Sequence, residues 1–191
     1  MENTYLSSSL TFYNNKIICE DTGSTRYGEE VMMDWETPIM SASAAYITEG
    51  GGDILEIGFG MGIASNYIQS HSISSHTILE NHPQIIPKAI EWADGKSNVT
   101  IISQSWADVT GSLSTYDWIF YDTYGYNKNH LFSSSLSGLT KSGTKVTIWN
   151  NSQEESNDLN IPNCTYKQIP VTPDSNGYFD GDTYYLPQKE F

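Results

Sequence analysis

The stretch "DILEIGFGMGIAS", residues 53–65, limits the folds open to this chain more than any other segment. A run that reads as a buried strand passes directly into Gly58, Gly60 and Gly62 and then into a helix-like segment. Glycines at such a turn let the backbone bend tightly and let a ligand approach without meeting a β-carbon. The stretch therefore predicts the first unit of an open α/β sheet with a ligand at the turn.

Strand-like and helix-like segments alternate along the rest of the chain. Strands are predicted at 53–58, 76–81, 98–103, 116–122 and 144–150, helices at 62–71, 83–94 and 130–140, and a closing antiparallel pair at 165–171 and 183–188. Parallel strands joined by helices form a sheet that is covered on both faces, and right-handed crossovers favour a doubly wound arrangement. The predicted fold class is α/β, with a Rossmann-like, doubly wound, mostly parallel sheet.

The N-terminal part of the chain is polar and is predicted to stand apart from this sheet. "LTFYNNKII" is typical of a hairpin that turns at Asn14-Asn15. We assign residues 1–30 to an N-terminal segment, with a role as a lid as a hypothesis, and residues 31–191 to the main domain.

A further helix is predicted in "ETPIMSASAAYITEGGG", residues 36–52. Thr37 is the predicted N-cap, Pro38 suits the first helical position, and the three glycines end the segment.

The formal charge of −14 restricts the partners of the chain. A surface this negative repels nucleic-acid backbones and anionic lipids, so neither is an expected partner, and a cationic substrate is favoured. The alternative is that the acidity serves solubility alone. Cys19 and Cys164 are too few for a disulfide framework, and no Cys/His cluster predicts a metal. With neither a signal peptide nor a membrane span in the sequence, a cytoplasmic location is expected.

An acid at the end of the second strand supports a ligand site at the glycine turn. Glu80 lies 20 positions after Gly60, where a carboxylate can accept hydrogen bonds from both ribose hydroxyls of a nucleoside. Taken alone, Glu80 is an ordinary strand-end acid. Glu56, two residues before Gly58, gives the spacing E-x-G-x-G-x-G, which leans toward S-adenosylmethionine, although the turn alone leaves a dinucleotide open.

Five motifs occur in an order found in a known family. "VMMDWETPIM", "LEIGFGMGIA", "HTILENHP", "SWADV" and "FYDTYG" resemble, in this order, guanidinoacetate N-methyltransferase and the type 2 protein arginine N-methyltransferase. The resemblance runs from about residue 28 to residue 150, with a weaker match at "VTPDSNGYF" and "TYYLP". It implies a seven-stranded sheet whose last strand is antiparallel, and S-adenosylmethionine as the cofactor.

The resemblance also implies roles for individual residues. Cofactor contacts are implied for Met32, Met40, Gly58, Phe59, Gly60, Met61, Gly62, Ile63, Glu80, Asn81, His82, Trp106 and Ala107. Ala107 replaces a longer polar side chain, so adenine would rely on Trp106 and the backbone. The alternatives are that Met32 and Met40 fill the core, that Trp106 is simply buried, and that His82 faces solvent in a turn.

Substrate contacts are implied for four residues. Glu36 and Asp122 would hold the guanidino group, and Asn150 and Asn151 are predicted contacts in the polar segment that replaces the family's usual helix after the fifth strand. The alternative for Asp122 is a cap of the turn that follows its strand. Without the resemblance, Glu36 would be read as a solvated acid.

Two carboxylates suit the chemistry of a guanidinium. Its pKa lies above about 12, so its nitrogens are charged and poor nucleophiles. A carboxylate matches the planar fork and can receive the proton that leaves as a nitrogen attacks. We therefore expect a methyltransferase acting on free arginine, a small guanidino acid or a protein arginine, without an obligate protein partner. A methyltransferase for another nucleophile and an inactive cofactor-binding domain are the alternatives.

Overall fold

The computed structural model describes residues 4–20, 29–124, 131–174 and 178–191. Its strands form a three-stranded sheet near the N-terminus and a seven-stranded sheet. The strands are β1 (Leu10–Phe12), β2 (Lys16–Cys19), β3 (Glu30–Met33), β4 (Asp53–Ile57), β5 (Ser75–Leu79), β6 (Val99–Ile102), β7 (Tyr116–Tyr121), β8 (Thr140–Ile148), β9 (Thr165–Pro170) and β10 (Thr183–Glu190). The helices are α1 (Thr37–Ile47), α2 (Ile63–Gln69), α3 (Ile86–Ala93), α4 (Trp106–Val109) and α5 (Phe132–Leu139).

The large sheet has the strand order β6-β5-β4-β7-β8-β10-β9. Neighbours from β6 to β8 are parallel, whereas β10 runs antiparallel to both β8 and β9. The prediction of a seven-stranded, mostly parallel sheet with an antiparallel last strand is confirmed. Chain order reverses beside β4, because β5 and β6 extend the sheet on one side and β7 and β8 on the other, and this is where ligands bind in such sheets.

Alternate residues along the central strands point into two separate cores. Ile54 of β4 packs in a core that includes side chains of α1, α2 and α3, whereas Leu55 packs in a core that includes side chains of α4 and α5. Phe120 and Ile119 of β7 divide in the same way. This period of two, with helices on both faces, confirms the doubly wound arrangement. Within the described ranges, no helix is both long and apolar enough to cross a bilayer.

The N-terminal segment contains the predicted hairpin. β1 and β2 pair antiparallel, and the Tyr13 N–H donates to the Lys16 carbonyl across the turn at 2.9 Å. β3, which begins at Glu30, adds to the same sheet. The small sheet therefore crosses the division proposed at residue 30, and the role as a lid stays a prediction.

A 3₁₀ turn, Asp34–Glu36, connects β3 directly to α1. The prediction of Thr37 as the N-cap is wrong, because α1 begins at Thr37 and the Thr37 hydroxyl donates back to the Asp34 carbonyl at 2.5 Å. Instead, one carboxylate oxygen of Glu36 accepts the Met33 N–H at 2.8 Å. The strand-to-helix junction thus fixes Glu36 at the start of α1.

The connection from β8 to β9 contains turns and bends but no helix, as predicted for this polar segment. Asn150 organises it, because its buried amide donates to the Ser156 carbonyl at 2.9 Å and to the Tyr185 carbonyl at 3.3 Å.

Replacement of Gly58 by Ala should destabilise the fold strongly. Gly58 has a φ of +94°, and a β-carbon there would lie 1.8 Å from the Asp122 carbonyl oxygen. We expect the free energy of unfolding, measured by urea denaturation, to fall by more than about 2 kcal/mol. Gly95→Ala is the matched control, because Gly95 has a φ of +76° with nothing within 4 Å. It should cost about 1 kcal/mol, and an equal loss in both variants would contradict the proposed clash.

Candidate active site

A cavity opens beyond the carboxyl ends of β4, β5 and β7. Its empty volume is about 680 Å³ when the open mouth is included. The predicted site residues in its wall are Met32, Gly58, Phe59, Gly60, Glu80, Asn81, Trp106 and Asp122. Three acids, Glu56, Glu80 and Asp122, share this wall, and no Lys or Arg is among the described residues that line it.

Glu80 ties the glycine turn to the turn after β5. Its Oε2 accepts the Phe59 N–H at 2.9 Å, and its Oε1 accepts the N–H groups of Asn81 and His82, each at 2.8 Å. Burial raises the pKa of Glu80, and these hydrogen bonds oppose the rise. The predicted ligand turn and the predicted ribose acid are therefore in direct contact.

The two predicted methionines differ in position. Met32 lines the cavity, where its sulfur accepts the Met61 N–H at 3.1 Å. A β-carbon on Gly60 would lie 2.4 Å from the same sulfur, so a glycine is required for this approach. Met40 is fully buried in the core and outside the cavity wall, as the core alternative predicted.

The rest of the glycine turn shapes the start of α2 rather than the cavity wall. Gly62 has a φ of +72°, and a β-carbon there would lie 2.8 Å from the Phe59 ring. Gly62, Met61 and Ile63 are outside the described lining of the cavity, and cofactor contacts from them stay predictions.

His82 is fully buried, so the alternative of a solvent-facing turn residue is wrong. Its Nδ1 accepts the Gln84 N–H at 3.2 Å, and its Nε2 donates to the Tyr5 carbonyl at 3.1 Å, which defines a neutral tautomer. Burial lowers the pKa of His82. The ring therefore fastens the N-terminal segment to the turn after β5, and Tyr5 itself lines the cavity.

Trp106 and Ala107 lie at the start of α4, on the side of the cavity toward the second core. Trp106 is buried and lines the cavity, with edge-on packing against Phe132 at a centroid distance of 5.5 Å. Ala107 packs against that core and is outside the described cavity lining. Trp106 thus offers an apolar ring to the cavity.

Glu56 lies fully buried beneath the cavity. Its Oε2 accepts the Ser65 hydroxyl at 2.7 Å and lies 2.8 Å from Nε2 of His76, which is also fully buried. Its Oε1 has no hydrogen-bond partner in the described part of the chain. A buried, unpartnered carboxylate oxygen in a cavity wall suits a cationic ligand group.

Asp122 directly follows β7 and is half-buried in the cavity wall. Burial and the charges of Glu56 and Glu80 raise its pKa to about 7. Its N–H donates to the Ile57 carbonyl at 2.9 Å, so its backbone continues the pairing of β7 with β4. The side chain is thus a carboxylate that can exchange a proton near neutral pH.

Glu36 is buried, not solvated, and its exposed fraction is only 3%. Its Oε1 accepts the Met33 N–H and the hydroxyl of Tyr178. Burial and the charge of Asp122 raise the pKa of Glu36 to about 8, against the effect of these two hydrogen bonds. Glu36 is outside the described cavity lining, although Met32, the residue before its backbone donor Met33, belongs to that lining.

Aromatic rings pack around the turn that carries Glu36. Trp35, Trp149 and Tyr178 contact one another at centroid distances of 5.7 to 6.4 Å, and Tyr184 packs on Trp149 at 5.2 Å. We call Trp35, Trp149, Tyr178 and Tyr184 the aromatic cluster. The sequence motifs do not predict this cluster, although Tyr178 lies in "VTPDSNGYF", the stretch with a weaker match to the family.

The expectation of substrate contacts from Asn150 and Asn151 is not supported. The Asn150 side chain is fully buried and occupied by its own loop, as described above. Asn151 is exposed, and its Oδ1 accepts the Trp149 indole N–H at 3.4 Å. Among the residues described, no group of three or more His, Cys, Asp or Glu side chains is arranged to hold a metal ion.

Comparison with known sequences identifies relatives of this chain. A family model described as Guanidinoacetate N-methyltransferase matches residues 12–148. Proteins named protein arginine N-methyltransferase 2 match from Aspergillus oryzae, at 34% identity over 76% of this chain and 36% of the relative, and from Kluyveromyces lactis, at 30% identity over 98% of this chain and 53% of the relative. The chain thus spans about a third to a half of the length of these curated relatives.

Solved structures with similar folds have low sequence identity to this chain. The N-methyltransferase NodS from Bradyrhizobium japonicum has a TM-score of 0.63 at 12% identity, with 81% of this chain and 94% of that chain covered. Fibrillarin from Aeropyrum pernix, solved with natively bound S-adenosyl-L-methionine, has a TM-score of 0.59 at 12% identity, with 94% and 97% covered. These similarities show a shared fold.

Replacement of Glu36 by Gln should stabilise the protein at alkaline pH. An unfolded Glu ionises near pH 4.3, whereas folded Glu36 keeps its proton until about pH 8. Between these values the folded state binds more protons, so Glu36 makes the free energy of unfolding fall as pH rises. Gln removes this titration and keeps an oxygen for both hydrogen bonds.

We expect Glu36→Gln to raise the free energy of unfolding at pH 8 by about 1–3 kcal/mol, and the gain to shrink toward pH 5. Urea denaturation at both pH values measures it. Glu155→Gln, at an exposed acid in the β8–β9 connection, is the control and should show no such trend. A gain that is equal at pH 5 and pH 8 would rule out this explanation.

Proposed function

The chain belongs to the guanidinoacetate N-methyltransferase family, and we propose that it transfers a methyl group from S-adenosylmethionine to a nitrogen of a guanidino group. The observation that carries the proposal is an acid in the cavity wall, Asp122, together with a second buried acid, Glu36, whose backbone donor Met33 directly follows the cavity residue Met32. Burial and the charge of Asp122 raise the pKa of Glu36. Free arginine, a small guanidino compound and a protein arginine are the candidate substrates. The name of the matched relatives favours the last.

The cavity residues fit the parts of S-adenosylmethionine. Glu80 is placed to accept the ribose hydroxyls, with Asn81 beside it, and the Trp106 ring offers an apolar face to adenine. The unpartnered Oε1 of Glu56 suits the positively charged amino-acid end. The glycine turn, with Met32 against it, leaves its backbone open to close approach. When bound, S-adenosylmethionine supplies a methyl group on a positively charged sulfur.

The acids Glu36 and Asp122 supply the orientation and the proton acceptor. A guanidinium placed between them meets carboxylates whose raised pKa values reflect burial and mutual repulsion, and its positive charge relieves both. One carboxylate holds two N–H groups, and the other takes the proton from the attacking nitrogen. The nitrogen–carbon bond forms as the carbon–sulfur bond breaks. The products are a methylated guanidinium, S-adenosylhomocysteine and one proton on a carboxylate.

The described part of the N-terminal segment, residues 4–20, is proposed to act as a lid over this reaction, whereas residues 1–3 and 21–28 lie outside the described residues. Tyr5 lines the cavity, and His82 and Gln84 hold the segment there, the latter through the Leu10 N–H at 2.7 Å from its Oε1. Such a cover excludes water from the charged groups, which strengthens their interactions.

Glu80→Gln should weaken cofactor binding without abolishing the chemistry. The amide keeps one acceptor oxygen but loses the charge that favours hydrogen bonds from ribose hydroxyls, and its NH2 group faces a backbone N–H that a carboxylate oxygen accepts in the native protein. We expect the Kd for S-adenosylhomocysteine, measured by calorimetry, to rise about tenfold or more. Activity at saturating S-adenosylmethionine should stay within a few fold. An unchanged Kd would exclude Glu80 as the ribose acid.

Activity on guanidino compounds tests the proposed function directly. The protein is incubated with S-adenosylmethionine and a panel of arginine, guanidinoacetate, arginine-containing peptides and simple amines, and S-adenosylhomocysteine is measured. We expect turnover with a guanidino compound. Glu36→Gln and Asp122→Asn should each lower kcat by about a hundredfold or more, with the Kd for S-adenosylhomocysteine kept within about threefold.

Glu155→Gln is the control for this series and should retain full activity, because it changes an exposed acid far from the cavity wall. Turnover of amines alone would favour a different nucleophile. Tight cofactor binding without any turnover would favour an inactive binding domain.

A further inference from the structure

The two hydrogen bonds to Glu36 both end on the same oxygen. Oε1 accepts the Met33 N–H at 2.8 Å and the Tyr178 hydroxyl, while Oε2 has no hydrogen-bond partner within the described ranges. We propose that the Tyr178 hydroxyl is a positioning group that holds Oε1 so that Oε2 is presented to the guanidinium. This inference rests on the proposed function, because it assigns a second residue to the task of Glu36.

A single backbone contact does not fix the plane of a carboxylate. The Met33 N–H comes from the turn that carries Glu36 and sets where Oε1 lies. Tyr178 approaches from a segment 142 positions away in the chain, so it adds a second, independent direction. Two donors on one oxygen restrict rotation of the group and leave the other oxygen for the substrate. Small errors in such placement cost large factors in rate.

The segment that carries Tyr178 is anchored beside Glu36. Phe179 is buried, and its ring stacks on Trp35 at 5.8 Å, next to the turn that holds Glu36. The Tyr178 ring contacts Trp35 at 5.7 Å and Trp149 at 6.0 Å. Tyr178 itself is 41% exposed, so its ring sits at an edge of the aromatic cluster. Removal of the hydroxyl alone should therefore leave the packing in place.

The Tyr178 hydroxyl also affects the pKa of Glu36. Asp122 and Glu30 are acids and raise the pKa of Glu36, whereas the donors Met33 and Tyr178 lower it. Burial, and then the charges of Glu36, Asp122 and Glu30, raise the pKa of Tyr178, so its hydroxyl stays protonated and remains a donor. Without the donor, Glu36 has only the Met33 N–H against burial and two like charges. Its pKa should then rise further.

Tyr178→Phe tests the inference with a change of one oxygen atom. A hydrogen bond to a charged group contributes about 1.5–3 kcal/mol, so kcat/KM at pH 7 should fall about 10- to 100-fold on the guanidino compound that turns over. The acidic limb of the kcat/KM profile should move to higher pH by about half a unit or more, because kcat/KM requires ionised Glu36. The Kd for S-adenosylhomocysteine and the thermal midpoint should change little.

Tyr166→Phe is the matched control. The Tyr166 hydroxyl accepts a hydrogen bond from the Asn157 amide at 3.1 Å, and Tyr166 is outside the described cavity lining. Its loss should leave the pH profile unchanged. The double variant Glu36→Gln/Tyr178→Phe should be no slower than Glu36→Gln alone, because the hydroxyl acts through that carboxylate.

An unshifted acidic limb in Tyr178→Phe, or a full additional loss in the double variant, would overturn the positioning role. These outcomes are distinct from failure of the proposed function. In that case the unaltered protein would turn over no guanidino compound at all.

Discussion

Repulsion among carboxylates gathered at one edge of the sheet is the interaction on which the site depends. Glu56, Glu80 and Asp122 share a cavity wall. Burial and the charge of Asp122 raise the pKa of Glu36. Folding normally separates or neutralises such groups, since a buried, unpaired charge is costly. Here backbone N–H groups stabilise Glu80 and Glu36, and Ser65 contacts Glu56. The remaining repulsion prepares the site for ligands that bring positive charge.

The topology of the sheet explains how these groups meet. Glu56 lies on β4, Glu80 follows β5 and Asp122 follows β7, and these three strands are neighbours that run parallel. At Gly58 the backbone after β4 passes close to the Asp122 carbonyl oxygen. A β-carbon at this position would collide with that oxygen. The same packing that lets β4 and β7 end together also exposes the backbone at the glycine turn. Fold and site therefore share one geometric requirement.

Local sequence pattern predicts those residues of the cavity wall that lie at the ends of single strands. The glycine turn, Glu80 and Asp122 follow predicted strands, and parallel topology brings such positions to one edge. Contacts between distant segments were beyond local pattern. The burial of Glu36 depends in part on packing against residues near 178, and His82 bonds Tyr5 across 77 positions.

The wrong N-cap at Thr37 and the unsupported substrate contact of Asn150 have the same origin. Thr37 satisfies the preference for an N-cap, but a 3₁₀ turn that packs against the C-terminal segment moves the start of α1 to Thr37 itself. Asn150 is polar and follows a strand, yet the missing helix after β8 leaves its amide to organise the connection. In both cases the same side chain suits two roles, and contacts with distant parts of the chain determine which role it has.

The placement of β10 between β8 and β9 has a consequence for biosynthesis. This strand follows β9 in the chain but is internal in the sheet, so β8 lacks its partner on that side until residues 183–190 have been synthesised. The Glu36–Tyr178 contact joins an early segment to a late one in the same way. Nascent chains should therefore expose an unpaired edge of β8, which chaperones can bind, until β10 has been synthesised.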